Sequence, residues 1–152
     1  MRIRAARGDD FDAVTGLLET LGRARVTDSN RADCFAIFEA QVIDPDSHHM
    51  VCEDNDGEVV GFCSLHFRPR LNRTTLEAWV PDLIVVESLR MRGIGRALLE
   101  EAERRARQRG CHGLTLESGY RRAEAHHLYR ELHMRDMGKS FYKELAPTRH
   151  SV

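Results

Sequence analysis

The feature that most constrains this sequence is a junction between a strand and a helix in its second half. The apolar run LIVV at residues 83–86 leads through a short loop into LRMRGIGRALLEE at residues 89–101. From Ile94 onward, apolar residues recur at helical spacing until Gly110, which predicts an amphipathic helix. The unpaired amides and the dipole at the start of such a helix can bind an anion through the backbone alone.

Glycines and arginines surround the first turn of this predicted helix. Gly93 and Gly95 would let a ligand approach the backbone closely. Arg90, Arg92 and Arg96 can form paired hydrogen bonds with phosphate oxygens. The loop therefore suits a pyrophosphate. In the alternative interpretation, the glycines only pack the helix against the strand and the arginines are solvated.

Two common nucleotide-binding motifs do not fit this loop. The dinucleotide pattern G-x-G-x-x-G would need a glycine where Leu98 stands, and it should open the first βαβ unit of a chain. No G-x-x-x-x-G-K-S/T string is present, so a nucleotide-hydrolysing P-loop is not expected. The phosphate ligand should belong to another class.

The chain as a whole alternates between strand-like and helix-like patterns, which is typical of an α/β fold. Strands are predicted at residues 2–4, 48–54, 58–68, 76–86, 113–118 and 138–145. Helices are predicted at residues 11–21, 31–43, 94–110 and 121–132. Asp9 or Asp10 should cap the first helix, and the turn Asn55-Asp56-Gly57 predicts a hairpin. Pro81 lacks a backbone donor, so a kink is expected near Asp82.

Length and charge limit the class of protein. A chain of 152 residues suits one domain, residues 1–152, with a single core. Charged residues make up 31% of the chain but sum to a net charge of -1, so we expect no nucleic-acid partner. We find no signal-peptide pattern and no apolar stretch long enough for a membrane span, so we expect no membrane partner and a cytoplasmic location.

Cysteine and histidine patterns do not predict a metal site. The four cysteines lie far apart without a C-x-x-C pair, so we expect free thiols. The neighbouring pairs His48-His49 and His126-His127 should point in different directions, because adjacent residues do not share a face. We therefore expect no metal in the site.

Two motifs, taken in order, indicate a family. Residues 90–95 fit the pattern R/Q-x-x-G-x-G/A, and AHHLYRELHM follows downstream at residues 125–134. From Trp79 to Leu145 the chain resembles the GNAT superfamily of N-acetyltransferases. The resemblance implies the GNAT fold, an α/β fold with a mixed, mostly antiparallel central sheet of six or seven strands flanked by about four helices. The layout is loosely similar to that of aminoalkylphosphonate acetyltransferases.

The resemblance implies a binding site for acetyl-CoA as co-substrate. In this family the first motif binds the pyrophosphate through backbone amides, and the preceding strand hydrogen-bonds the cofactor. The residues expected to contact acetyl-CoA are Ile84, Val85, Val86, Arg90, Met91, Arg92, Gly93, Ile94, Gly95, Arg96, Ala97 and Arg122. Arg122 stands where the family often has an asparagine.

The second motif implies an acid for the leaving group. Ala125, Leu128 and Tyr129 occupy the A-x-x-L-Y positions, and Tyr129 is expected to donate its phenolic proton to the departing thiolate or to a water beside it. In the alternative interpretation, this tyrosine only packs its ring in the core. The usual Gly-Phe after this helix is His133-Met134 here, and a histidine in a left-handed conformation is uncommon.

The base that accepts the proton from the amine is expected among the carboxylates. Asp82 is the first candidate, because it interrupts an apolar strand where many family members have an acidic residue, and partial burial would raise its pKa. Glu117 is the second candidate and Glu77 the third. Each can also be a surface carboxylate without a role, and attack by an amine that is already neutral would need no base.

These residues predict transfer of an acetyl group to a primary amine of a small molecule, by direct attack in a ternary complex. The alternatives are acetylation of protein N-termini or lysines, and a CoA-binding module without turnover. Arg68, Arg70 and Arg73 could recognise an anionic acceptor, but a solvated arginine loop is the simpler interpretation. Because family members often pair, a homodimer is possible.

Overall fold

The computed structural model describes residues 1–117 and 123–145. The chain divides into two compact units, Met1–Leu116 and Glu117–Val152. The strands are β1 (Arg2–Ala5), β2 (Met50–Glu53), β3 (Val59–Cys63), β4 (His66–Pro69), β5 (Leu76–Val80), β6 (Leu83–Val85) and β7 (Gly113–Leu116). The helices are α1 (Phe11–Thr20), α2 (Arg31–Ile43), α3 (Ile94–Gln108) and α4 (Ala123–Glu131).

The strands, all in the first unit, form two sheets. One has the order β1-β2-β3-β6 with antiparallel neighbours throughout, and the other has the order β4-β5-β7. In the second sheet β4 and β5 are antiparallel, whereas β5 and β7 are parallel. The predicted α/β fold with mostly antiparallel strands is confirmed, as is the hairpin of β2 and β3.

Two predicted long strands each break between the sheets. The strand predicted at 58–68 divides into β3 and β4, and the strand predicted at 76–86 divides into β5 and β6. At the break, the Ser64 amide donates to the Asp82 carbonyl at 2.9 Å, and the Asp82 amide donates to Ser64 Oγ at 2.8 Å. Because Pro81 has no N–H, the kink expected near Asp82 becomes a transfer of the chain from one sheet to the other.

The helices cover opposite faces of the first sheet. Helices α1 and α2 pack through Phe11, Val14 and Phe38 on a cluster that includes Val51 and Phe62. Helix α3 packs its apolar stripe on the other cluster; the buried residues of that stripe are Ile94, Leu98, Ala102 and Ala106. The helical periodicity read from the sequence therefore identifies the buried face of α3 correctly.

Asp10 has a different role from the predicted helix cap. It occupies the N-cap position of α1, but its carboxylate accepts two hydrogen bonds of 2.8 Å from the Arg4 guanidinium and one of 2.7 Å from the Arg7 amide. Its side chain makes no capping hydrogen bond to α1. The carboxylate instead ties β1 to the turn before the helix.

The end of the chain also differs from prediction. Residues 138–145 form no strand, and Phe141 and Leu145 are almost fully exposed. The closing strand was predicted from an alternating pattern, which is insufficient without a neighbouring strand to pair with. Residue 118 of the strand predicted at 113–118, and residues 121–122 of the last predicted helix, lie outside the described residues.

Helix α4 ends in a Schellman motif with a histidine where glycine is usual. His133 has a φ of 61°, its amide donates to the Arg130 carbonyl at 3.0 Å, and the Met134 amide donates to the Tyr129 carbonyl at 2.9 Å. This left-handed position of the motif usually holds glycine, and a side chain in this conformation is strained.

Gly61 allows α3 to lie close to β3. A Cβ atom at this position would lie 3.1 Å from Leu98 Cδ1, 3.2 Å from Ile94 Cγ2 and 3.4 Å from Cys52 Cβ. Two of these contacts are tighter than ordinary packing allows, and the atoms belong to fully packed side chains. The helix and the sheet would have to separate slightly to admit a methyl group.

We expect Gly61→Ala to lower the free energy of unfolding by about 1–3 kcal/mol, because overpacking forces side chains and backbone to shift. Gly113→Ala is the matched control, since a Cβ at that strand position meets no atom within 4 Å. Urea unfolding of both variants measures the difference. Equal stability of the two variants would contradict the close packing described here.

Candidate active site

The loop between β6 and α3 has a backbone shape suited to an anion. Met91 and Gly93 are both left-handed, with φ values of 63° and 85°. A left-handed residue followed by a helical one turns successive amides into a common concavity, the geometry of an anion-binding nest. A Cβ atom at Gly93 would meet nothing within 4 Å, so the space in front of this residue is open.

The amides of this loop are available to a ligand. The first backbone hydrogen bond at the start of α3 runs from the Ala97 amide to the Gly93 carbonyl at 3.0 Å. Within residues 1–117 and 123–145, the amides of residues 91–95 donate to no backbone carbonyl. The helix start thus presents several N–H donors together with the positive end of its dipole.

The arginines around the loop occupy different positions. Arg90 is exposed, and its Nε donates to the Val85 carbonyl at 3.3 Å, which holds its guanidinium near the end of β6. Arg92 is exposed. Arg96 forms a long ion pair with Glu100, at 3.8 Å. The positive charge predicted for this loop is present, and the guanidinium of Arg90 is attached to the strand that leads into it.

Strand β6 offers hydrogen-bonding groups on one edge. The Ser64 amide bonds to the Asp82 carbonyl and the Val86 amide bonds to the Val60 carbonyl at 2.9 Å, so the even-numbered residues of this segment face β3. By alternation, the amide of Val85 points to the opposite edge. Strand β7 pairs with β5, and within the part of the chain that the structure describes it does not pair with β6, so this edge of β6 is open.

Asp82, the first candidate base, is held in a network. Its Oδ1 accepts a hydrogen bond of 2.7 Å from Arg23 Nε, and its Oδ2 lies 3.3 Å from Ser64 Oγ. Arg23 also donates to the Pro81 carbonyl at 2.9 Å. This carboxylate therefore links the segment after α1 to the break between the two sheets.

Glu77 and the arginines before β5 are paired with one another. Glu77 is buried, and it binds Arg68 at 2.7 Å and Arg70 at 3.4 Å. Burial alone would raise the pKa of Glu77, but the hydrogen bond and charge of Arg68 and the charge of Arg70 outweigh it and lower this pKa below its ordinary value. Arg68 also stacks on Trp79, with its guanidinium carbon 4.5 Å from the ring centroid. Both arginines are thus paired with Glu77, and neither is a solvated, unpaired cation.

The other predicted site residues lie in the second unit. Glu117 directly follows β7 and is exposed. Tyr129 is partly buried on α4, and its ring centroid lies 6.4 Å from that of His126. Arg122, the remaining predicted cofactor contact, lies outside the described residues.

A histidine cluster was missed by the sequence analysis. His49 is only 5% exposed; its Nδ1 accepts a hydrogen bond from the Leu65 amide at 3.2 Å, and its Nε2 donates to Gln41 Oε1 at 2.8 Å. Its ring lies 4.9 Å from that of His66, whose Nδ1 is 3.1 Å from Ser47 Oγ. These contacts join residues far apart in the chain, so the only local signal was a polar residue within an apolar run.

The buried His49 should make stability depend on pH. Burial lowers the pKa of His49 to about 4, below its ordinary value of 6.5. As the pH falls, the unfolded chain takes up the proton before the folded chain does. The free energy of unfolding therefore keeps its full value above pH 6.5 and decreases as the pH falls toward 4. At 1.36 kcal/mol for each pKa unit, the loss is about 3 kcal/mol.

The variant His49→Gln removes this titration. We expect urea unfolding to show that the wild-type protein loses about 3 kcal/mol more than the variant between about pH 7 and pH 4. His112→Gln serves as a control, because that histidine is exposed. Parallel pH profiles for wild type and His49→Gln would show that His49 is not buried in its neutral form.

Metal binding and membrane insertion both find no support in the described residues. Among the residues that the structure describes, no three histidine, cysteine, aspartate or glutamate side chains are grouped as metal ligands. Within the same residues, no helix combines the length and apolar character needed to cross a bilayer.

Comparison with known proteins identifies the family. The model of the acetyltransferase (GNAT) family matches residues 14–134. The chain is 33% identical over 127 residues to the aminoalkylphosphonate N-acetyltransferase of Salmonella typhimurium, covering 84% of this chain and 80% of that protein. It is 36% identical over 152 residues to the streptothricin acetyltransferase of Streptomyces lavendulae, covering 85% and 78% respectively. The chain therefore belongs to the GNAT acetyltransferase family.

A solved acetyltransferase structure has the same fold. An aminoglycoside N-acetyltransferase solved in complex with CoA superposes with a TM-score of 0.74 at 16% identity, covering 95% of this chain and 100% of that one. The protein is thus an N-acetyltransferase of the GNAT family that acts on amines and uses acetyl-CoA. The open, amide-rich loop before α3 fits the pyrophosphate of that co-substrate.

Proposed function

We propose that this protein transfers the acetyl group of acetyl-CoA to the primary amine of a small molecule, by direct attack in a ternary complex. The observation that carries the proposal is the left-handed loop before α3. Its amides, at residues 91–95, have no backbone partner among the described residues and follow the open edge of β6. Both curated relatives described above are named for small-molecule acceptors, which supports a small amine here.

The proposed cofactor site combines the loop and the strand before it. The amides of residues 91–95 would hold the pyrophosphate, with Arg90, Arg92 and Arg96 supplying positive charge. The Val85 amide, directed away from β3, would stabilise negative charge on the thioester oxygen. The proposed contacts are Ile84, Val85, Val86, Arg90, Met91, Arg92, Gly93, Ile94, Gly95, Arg96, Ala97 and Arg122.

The proposed reaction needs an acid for the thiolate and a base for the amine. Tyr129 would give its phenolic proton to the departing thiolate. Asp82 and Glu117 are the carboxylate candidates for the base. Arg23 and Ser64 hold the Asp82 carboxylate in place. This favours a role in which Asp82 supports the break between the sheets over a role as the base.

We further propose that residues 1–152 act together as one N-acetyltransferase domain. The family match at residues 14–134 includes parts of both compact units, which supports a function that needs both. A separately expressed piece ending at Leu116 should then show no acetyl transfer.

A thiol-release assay tests the proposed function. The protein is mixed with acetyl-CoA and with a panel that contains aminoalkylphosphonates, polyamines, amino sugars, peptides with free N-termini and lysine peptides. We expect release of free CoA that depends on a small amine. Release with peptides alone would favour protein acetylation, and CoA binding without acceptor-dependent release would favour a module that lacks turnover.

A further inference from the structure

His66 lies on the face of the second sheet that α3 does not cover. Along β4 the side chains alternate, so that Phe67 is buried in the cluster containing α3, with the Arg109 guanidinium 4.5 Å from its ring. His66 and Arg68 therefore face the opposite side. Their partners across the strand pair are Trp79 and Glu77 of β5.

This position is next to the break between the sheets. His66 pairs with Trp79, and the following residue of β5, Val80, is opposite Leu116 at the end of β7. Beyond Val80 the chain passes through Pro81 into β6 of the other sheet. The separation of β6 from β7 therefore begins at the level of His66.

The His66 ring is fixed on one side and has an unpaired nitrogen on the other. Nδ1 is 3.1 Å from Ser47 Oγ, and the ring lies between those of His49 at 4.9 Å and Trp79 at 5.5 Å. Among the described residues, Nε2 has no hydrogen-bond partner. When Nδ1 donates its proton to Ser47 Oγ, the lone pair of Nε2 is free to accept a proton.

The surroundings keep this imidazole neutral near pH 7. Burial, the largest cause, lowers the pKa of His66 below its ordinary value, and the positive charge of Arg68 acts in the same direction. Asp44 and Asp82 oppose this shift. His49 is itself neutral, and the charge of Glu77 is offset by its arginines.

The carboxylates near this face are already engaged. Asp82 is bound by Arg23, and Glu77 is bound by Arg68 and Arg70. An imidazole with one fixed and one free nitrogen is better suited than either to take up a proton.

We propose that His66 is the general base of the reaction and that its Nε2 accepts a proton from the ammonium group of the acceptor. Ser47 is a positioning residue that holds the ring through Nδ1. The proposal rests on the proposed function, and it assigns the acceptor to the face of the second sheet opposite α3. The acceptor and acetyl-CoA would then approach the site from different sides.

The proposed step balances as follows. One proton passes from the ammonium group to Nε2, which gives imidazolium and a neutral amine. The amine lone pair forms a C–N bond with the thioester carbonyl carbon, and the C–S bond breaks with its electron pair on sulfur. Tyr129 gives its phenolic proton to the thiolate to form CoA thiol, and the second proton of the attacking nitrogen returns to the phenolate as the amide forms. His66 then returns its proton to solvent.

The test compares His66→Gln with the wild type, using an amine identified in the thiol-release panel. We expect kcat/KM to fall about 100-fold near pH 7, the range typical of a lost general base. The difference in kcat/KM between wild type and variant should shrink as the pH approaches the pKa of a free ammonium group, about 10. There the amine is neutral without a base. Added imidazole should restore part of the rate. His48→Gln is the control, because His48 packs on Phe67 and should leave kcat/KM unchanged.

The outcomes separate this assignment from the proposed function. If the wild type turns over and His66→Gln loses kcat/KM equally at every pH, the assignment of His66 is overturned and the transferase function stands. The same conclusion follows if His66→Gln loses no activity. An equal loss in His48→Gln would overturn it as well. Absence of wild-type thiol release with every amine of the panel would overturn the proposed function and the base with it.

Discussion

Gly93→Asp is expected to weaken CoA binding about 100-fold in a protein that remains folded. The new carboxylate would lie in the open space in front of the loop and repel the pyrophosphate, while the left-handed backbone tolerates aspartate better than most residues. Loss of charge-assisted hydrogen bonds of about 2–3 kcal/mol corresponds to affinity weakened by roughly 100-fold. Calorimetric titration with CoA measures it.

Gly93→Asn is the matched control for that experiment. Asparagine has the same size and a similar tolerance for a positive φ, but it carries no charge. We expect Gly93→Asn to bind CoA much more tightly than Gly93→Asp, with similar thermal unfolding temperatures for the two variants. If both bind CoA with wild-type affinity, the loop is not the pyrophosphate site.

Tyr129→Phe is expected to lower turnover by about 100- to 1000-fold with little change in CoA affinity. The substitution keeps the ring and removes only the phenolic O–H, the group proposed to protonate the thiolate. A residue that acts on the leaving group affects kcat and kcat/KM together, whereas one that binds the ground state raises KM. Steady-state kinetics and calorimetric titration with CoA distinguish these cases.

Tyr142→Phe controls for general effects of losing a phenol. Tyr142 is highly exposed, and its hydroxyl donates to Glu144 at 3.0 Å. We expect wild-type turnover from this variant. Normal turnover in Tyr129→Phe would instead assign Tyr129 to packing.

The parts of the fold that depend on local pattern were predictable. The bounds of α2 matched because its sequence carries apolar spacing and a clear stop at residues 44–47. The kink near Asp82 was visible because proline removes a donor at a fixed place. The matching break at Ser64 could not be predicted, because it depends on hydrogen bonds with Asp82, which lies 18 residues further along the chain.

The candidate site divides in the same way. The glycine loop was identified because its amides, glycines and arginines are contiguous in sequence. The contacts of Asp82 and His66 were not identified, because their partners lie far away in the sequence. Arg23 is 59 residues from Asp82, and Ser47 is 19 residues from His66. Charge and spacing alone do not show which carboxylates are already paired.

The most direct measurement of the central claim follows the acetyl carbon itself. Acetyl-CoA labelled with carbon-13 at the carbonyl is mixed with the protein and a small primary amine from the panel, and the label is observed by NMR. We predict that the thioester resonance is replaced by that of an N-acetyl amide on the small molecule, at a rate proportional to protein concentration. Label that remains in the thioester with every amine, or that appears only on added peptides, would contradict the account.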